Sequence, residues 1–340
     1  MTANSVTAKS GTATPTDFIG LTNSLCDAQA LLSGLELGLF TTLRAGPADP
    51  ETIRTALGIS SRGLTDWLDL LVCNGVLERD GDRYRNSPAA DRYLVRDDAA
   101  HMGDVLRRRL FPALFGLTDA LRTGTPHRTD EFMQVVSGLD VTRQFASSMD
   151  YITDSLAPEL VAAYDGWSRH RSVLDVGGCR GNVVSHILAA QPRLRGHVFD
   201  LPMMAPFFQE KTAELGLGAR MTFHPGDFFS DPLPPADVVV IGHALVNWDA
   251  DQRRFLVHKA FGSVNPGGVL LVYDRMLGGA TRGVESHNLR VSLSMLVMTK
   301  GGSGYTLEEL RGHARDAGFA SVTHQPLGTY DTLAVCHKAA

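Results

Sequence analysis

The stretch VLDVGGCRGNVVSHIL, residues 173–188, decides the fold. Apolar residues around one acid, Asp175, run into Gly177, Gly178 and Gly181, and an apolar-periodic segment follows. A run this short, rich in β-branched residues and stopped by glycines, reads as a buried strand; the segment behind it has helical spacing. Glycine belongs where the chain must turn with positive φ or let a ligand approach the backbone. Alone, such a loop is compatible with a nucleotide site or with ordinary turn and cap residues.

The same texture recurs downstream. GHVFDLP (196–202), ADVVVIGHA (236–244) and GGVLLVYDR (267–275) are short apolar runs alternating with helical stretches. That alternation predicts an α/β fold, a parallel sheet with helices on both faces. Asp200 closes the second strand, where a carboxylate can accept both hydroxyls of a ribose. In PGDFF (225–229), after the third strand, Asp227 is placed to take an adenine amino group and Phe228 to stack on the ring; NPGG (265–268) turns into the fifth strand. Spacing, order and strand context together favour a ligand site over turn residues alone.

The N-terminal half has another pattern. LCDAQALLSGLELGLFTTL (25–43) keeps helical spacing, and residues 50–87 read as helix, turn, helix and a hairpin turning at Gly81-Asp82, the outline of a winged helix. Helical periodicity continues through 97–165, broken at Gly124-Thr125-Pro126. The expected division is a disordered Thr/Ser/Ala-rich tail over 1–15, a winged-helix domain over 16–96, a helical linker and pocket region over 97–165, and the α/β domain over 166–340. The tail lacks the apolar core of a signal peptide.

Composition narrows the functional classes. A chain of 340 residues with 44% hydrophobic and 20% charged residues is built like a globular protein with room for two cores. A net charge of −5 argues against a nucleic-acid partner for the winged unit, whose apolar helices suit a dimer interface better. Cys26, Cys73, Cys179 and Cys336 are far apart with no CxxC pair, the usage of a reduced, cytoplasmic protein. No apolar run reaches the roughly 18 residues that span a membrane.

Residues 172–320 resemble the class I S-adenosylmethionine (SAM)-dependent methyltransferases, and with the N-terminal half nearly the whole chain resembles the plant and bacterial small-molecule O-methyltransferases. The resemblance rests on DVGGCRG, FDLP, GDFF, the helix at Trp248 and the NPGG turn. It implies a Rossmann-like SAM-binding sheet, an N-terminal α-helical winged-helix dimerisation domain, a homodimer and a small-molecule substrate. By resemblance, Asp175, Gly177, Asp200, Asp227 and Phe228 hold SAM, with Gly177 and Gly178 leaving room for its methionine portion.

One departure is chemical. GHALVNWDADQ (242–252) carries Val246 where the resembled enzymes keep a histidine two residues before the tryptophan, and that histidine takes a proton from a hydroxyl. Of the two supporting acids, one falls on Asp274 and the other on Gly304 in GGSGYT (301–306). The chain adds His243 at the end of the fourth strand, beside Asp274 at the end of the fifth, and His287 near the start of the pocket-lining helix. His243, Asp274 and His287 would form a two-histidine, one-carboxylate metal set for zinc or iron. Such a metal would acidify the carbon beside the ketone of a 2-oxo acid for C-methylation. The alternatives are O-methylation with His243 or Asp274 as base, a buried structural His243, and a SAM-binding fold with non-methylating activity. Glu285 is a rival carboxylate.

On the pocket helix, Leu289, Leu293 and Leu296 are expected in the core, and His287, Val291, Ser294 and Met298 towards the pocket. Arg290, or one of Arg107, Arg108 and Arg109, is a candidate clamp for a substrate carboxylate. Met149 and Tyr151 fall where the resembled enzymes cover the cofactor, with core as the alternative; Trp248 reads as a packing residue and His186 as an ordinary packed or exposed histidine.

Overall fold

Val238 and Val240 of the fourth long apolar run point into one hydrophobic core, and Val239 and Ile241 into a second. That two-sided burial is the period of a strand covered on both faces. The computed structural model describes residues 14–96, 98, 101–126, 139–278 and 286–340. They fall into two compact units, the described residues up to Pro112 and those from Ala113 to Ala340.

The larger unit is built on seven strands: β3 (Ser172–Val176), β4 (Arg195–Asp200), β5 (Met221–Pro225), β6 (Ala236–Gly242), β7 (Val264–Asp274), β8 (Ser321–Leu327) and β9 (Asp331–His337). Their order is β5-β4-β3-β6-β7-β9-β8. The first five are parallel, while β9 runs antiparallel to both β7 and β8. The sheet is therefore only mostly parallel. Leu327 pairs with Asp331 across a three-residue turn at Gly328 (φ +58°), too short for the crossover a parallel neighbour needs. From β3 the chain moves outward to β4 and β5, then returns to place β6 on the other flank. In doubly wound sheets ligands bind at such a reversal, beyond the carboxyl ends of the flanking strands, here β3 and β6.

The helices over the sheet have local causes. Asn182–Ala190 follows the glycine loop and buries Val183, Val184, Ile187 and Leu188. Ala250–Ser263 begins at a capping box in which Asp249 accepts from the Gln252 amide; Leu307–Ala317 uses Thr306 and Glu309 in the same way.

The smaller unit contains helices Pro15–Leu37, Leu39–Leu43, Pro50–Leu57 and Leu64–Cys73, then the hairpin β1 (Leu77–Asp80) and β2 (Arg83–Asn86). Gly81 takes φ +60° in the hairpin turn. Its core gathers Leu39, Phe40, Ile53, Leu68, Leu71, Leu77 and Tyr84. The unit runs past residue 96 to Pro112. Among the described residues, no helix is long and apolar enough to cross a membrane.

Candidate active site

Asp175 is buried, and among the described residues no donor reaches its carboxylate. A Cβ on Gly178 would stand 2.7 Å from its Oδ2, so only glycine lets the loop pass over the acid. Burial, then the neighbouring charge of Asp200, pushes Asp175 up to about 7. Gly177 takes φ +75° and donates to the Phe199 carbonyl at 2.8 Å. A Cβ on it would lie 3.7 Å from Phe228 and 3.9 Å from Ala244. The turns after β3, β5 and β6 therefore converge on one spot.

Asp200 accepts the amides of Cys179 and Leu201, both at 2.7 Å, and burial pushes it up to about 6 despite those bonds. Asp227 is exposed and accepts the Phe229 amide at 2.8 Å. Trp248 meets Phe228 and Phe229 edge-on, with ring centres 5.8 and 4.6 Å apart.

At the ends of β6 and β7 the structure departs from the expected metal set. His243 sits at φ +50°, and its Nε2 lies 2.5 Å from Asp331 Oδ1, not on Asp274. Its ring stands edge-on to Tyr273 at 5.2 Å. Asp274 is engaged elsewhere: Oδ2 accepts the Val246 amide and the Tyr305 hydroxyl, each at 3.1 Å, and Oδ1 accepts the Arg275 amide at 2.9 Å. Burial raises its pKa. His287 stacks on Tyr330 with ring centres 3.9 Å apart, and its Nε2 is buried with no hydrogen-bond partner among the described residues. Burial, then Arg275 and Arg290, lowers its pKa. Among the described residues no three His, Cys, Asp or Glu side chains gather as a metal site, so His243, Asp274 and His287 do not form the expected set. The physical reason is that His243 and Asp274 are already hydrogen-bonded to other groups, while the His287 ring lies flat against Tyr330. Gly304, at the absent helper's position, has no room for one: a Cβ would meet Leu277 at 2.9 Å and Ser292 at 3.0 Å.

Glu285 lies outside the described residues. Arg290 is exposed. The helix Ser286–Met298 buries Asn288 and Val297, while Leu293 is exposed, so the expected leucine core stripe is not the buried line. In the smaller unit, Arg107 and Arg108 both approach Asp104, at 3.3 and 3.5 Å; the Arg109 side chain lies outside the described residues. Met149 is partly buried and Tyr151 exposed on the helix Leu139–Asp154, and His186 approaches Asp154 at 3.7 Å.

Sequence reasoning missed Asp331, Asp150, Lys211 and the part played by Arg180. Asp331 is 88 residues from His243 and arrives on an antiparallel strand, so no local pattern announces it. Asp150 is buried and accepts both Arg180 and Lys211.

Residues 101–320 match the O-methyltransferase domain, and residues 19–96 match the O-methyltransferase dimerisation domain. The chain is 40% identical to the tetracenomycin polyketide synthesis 8-O-methyl transferase TcmO of Streptomyces glaucescens, covering 95% of this chain and 97% of that one. It is 38% identical to the N,N-dimethyltransferase OxyT of Streptomyces rimosus, covering 89% and 90%. The solved structure of PigF with S-adenosylhomocysteine superposes with a TM-score of 0.83 at 25% identity, covering 96% of this chain and all of that one. The chain therefore belongs to the O-methyltransferase family, and it is a SAM-dependent methyltransferase with the family's dimerisation domain at its N-terminal side.

Proposed function

We propose that this enzyme methylates a hydroxyl of a small aromatic molecule of the polyketide kind, with His243 as proton acceptor and Asp331 holding it in place. The observation that carries this reading is the 2.5 Å pairing of His243 Nε2 with Asp331 Oδ1 at the end of β6, three residues before the aliphatic Val246. An Nε2–H donated to a carboxylate fixes the tautomer in which Nδ1 is the acceptor, the logic of an oriented histidine base. Nδ1 has no hydrogen bond among the described residues and is not a sealed atom. Asp274 is a poor base, because its two oxygens already accept three hydrogen bonds. The similarity to an 8-O-methyl transferase of polyketide synthesis supports the substrate class.

The crevice suits SAM. When bound, SAM supplies an electrophilic methyl group on a sulfonium. Asp200 keeps lone pairs for the ribose hydroxyls, Asp227 and Phe228 frame the adenine, and Gly177 and Gly178 open the loop to the methionine portion. The Asp175 carboxylate beneath Gly178, which no donor reaches among the described residues, supports the same assignment. The matched dimerisation domain supports a homodimer. So does the helix Pro15–Leu37, which exposes Phe18, Ile19, Leu21 and Leu25.

The test uses SAM with an isotopically labelled methyl group and a panel of hydroxylated naphthoates and anthraquinones. Label is expected on a phenolic oxygen. His243→Ala is expected to lower kcat about 10²-fold or more, the usual worth of a positioned base. Asp331→Asn is expected to cost less, with SAM affinity kept in both variants. The similarity to OxyT makes nitrogen the rival acceptor atom. Label on an amine, or full turnover in His243→Ala, overturns the reading.

A further inference from the structure

The structure assigns Asp150, Arg180 and Lys211 a role of their own: we infer that they form an ionic latch seating the helix Leu139–Asp154 against the glycine loop, and that the latch sets cofactor affinity. The inference rests on the SAM-binding reading above.

Three elements meet on one buried oxygen. Asp150 Oδ2 accepts Arg180 Nη2 at 2.6 Å, Arg180 Nε at 2.7 Å and Lys211 Nζ at 2.9 Å. Arg180 comes from the glycine loop and Lys211 from the helix Ala205–Glu214, which follows β4. The side chains are withdrawn from water, with 8%, 19% and 15% of Asp150, Arg180 and Lys211 exposed. A pair so placed is screened little by salt, and removing one member strands the others.

The loop needs such a tie. Cys179, immediately before Arg180, holds φ +53° without being glycine, a conformation that persists only when its surroundings impose it. Its amide is the donor that reaches Asp200, the acid assigned to the ribose. Arg180 anchors the residue directly after Cys179, so the latch fixes the turn that presents the Cys179 amide. A second tie runs parallel: Asn182 Nδ2 donates to the Asp150 carbonyl, to Thr153 Oγ1 and to Asp154 Oδ1, at 3.3, 2.9 and 2.9 Å. The same helix carries Met149 and Tyr151. These are positioning residues; none needs to touch the methyl group or the acceptor.

The role predicts where a defect appears. Asp150→Asn is expected to raise the KM for SAM and the Kd for S-adenosylhomocysteine by roughly tenfold or more, while kcat at saturating SAM and the acceptor KM change much less. Asp150→Glu should recover part of the affinity. A purely structural role would lower the unfolding midpoint and leave the KM of the folded fraction unchanged. If Asp150→Asn fails to fold, Lys211→Met takes its place. Hydrogen exchange of residues 145–154 in the wild type should also slow when S-adenosylhomocysteine is added. Unchanged cofactor KM in the folded variants, or unchanged exchange on adding product, overturns the latch. Wild-type protein that binds neither SAM nor product sinks the underlying reading instead.

Discussion

Two carboxylates at the ends of β3 and β4 give the chain without cofactor a definite response to pH. Asp200 is pushed up to about 6, and Asp175 to about 7, from an ordinary value of 3.8. Their folded values lie above their unfolded ones, so the folded apo chain keeps protons that the unfolded chain has lost. From these two groups, apo stability falls as pH rises from about 4 to about 7. Ribose hydroxyls donate to an ionised carboxylate, so cofactor binding is expected to release a proton from Asp200 and to weaken as pH drops through about 6. Calorimetry in two buffers of different ionisation enthalpy reads that proton directly; affinity that stays flat from pH 5 to 7.5 would falsify it. The acids and glycines were legible in the sequence because each sits at a strand end that local periodicity defines. The pairing of His243 was not. Its partner lies across a strand order that no spacing reveals, and Asp274 looks available in the sequence only because the Val246 amide and the Tyr305 hydroxyl are invisible there.

Strand β6 ends in a residue whose lack of a side chain is structural. A Cβ on Gly242 would lie 1.9 Å from Cζ and 2.2 Å from the hydroxyl of Tyr273, so the tyrosine ring from β7 lies across the end of β6. That ring also packs against His243. Gly242→Ala is expected to cost about 1–3 kcal/mol, the usual penalty of overpacking. It should also displace His243, with urea unfolding reading the first effect and turnover the second. Tyr273→Leu in the same chain should restore part of the stability; an unchanged midpoint in Gly242→Ala would show that the ring yields freely. The helix Ser286–Met298 teaches a different lesson at this scale. Its apolar residues pack on two sides, Val291 and Met295 against one core and Leu296, Val297 and Met298 against another. The expected division into a leucine core stripe and a pocket stripe therefore does not hold, because periodicity finds faces without saying what covers them.

Across the whole molecule, both units were foreseen in kind. Alternating strands and helices announced the sheet, and the helix, turn, helix and hairpin announced the smaller unit. The antiparallel β8–β9 closure was not foreseen, because a hairpin turn at Gly328 carries no long-range label. The proposed homodimer belongs to this scale. Leu21 is 72% exposed and Phe18 61% exposed on the helix Pro15–Leu37. Replacing Leu21 by glutamate puts a charge on this apolar face and is expected to shift the species seen by light scattering from dimer to monomer, with the circular dichroism unchanged. A wild-type chain that stays monomeric at tens of micromolar would remove the premise.

Asp331 opens the final strand, whereas His243 is made 88 positions earlier. During synthesis on the ribosome, the glycine loop and its acids emerge well before β9 does. The loop proposed to take the cofactor is therefore made before His243 has its carboxylate partner. The proposed proton-accepting couple of His243 and Asp331 needs β9 paired beside β7, so on that proposal the residues assigned to reaction are completed by a later stretch of chain than those assigned to binding.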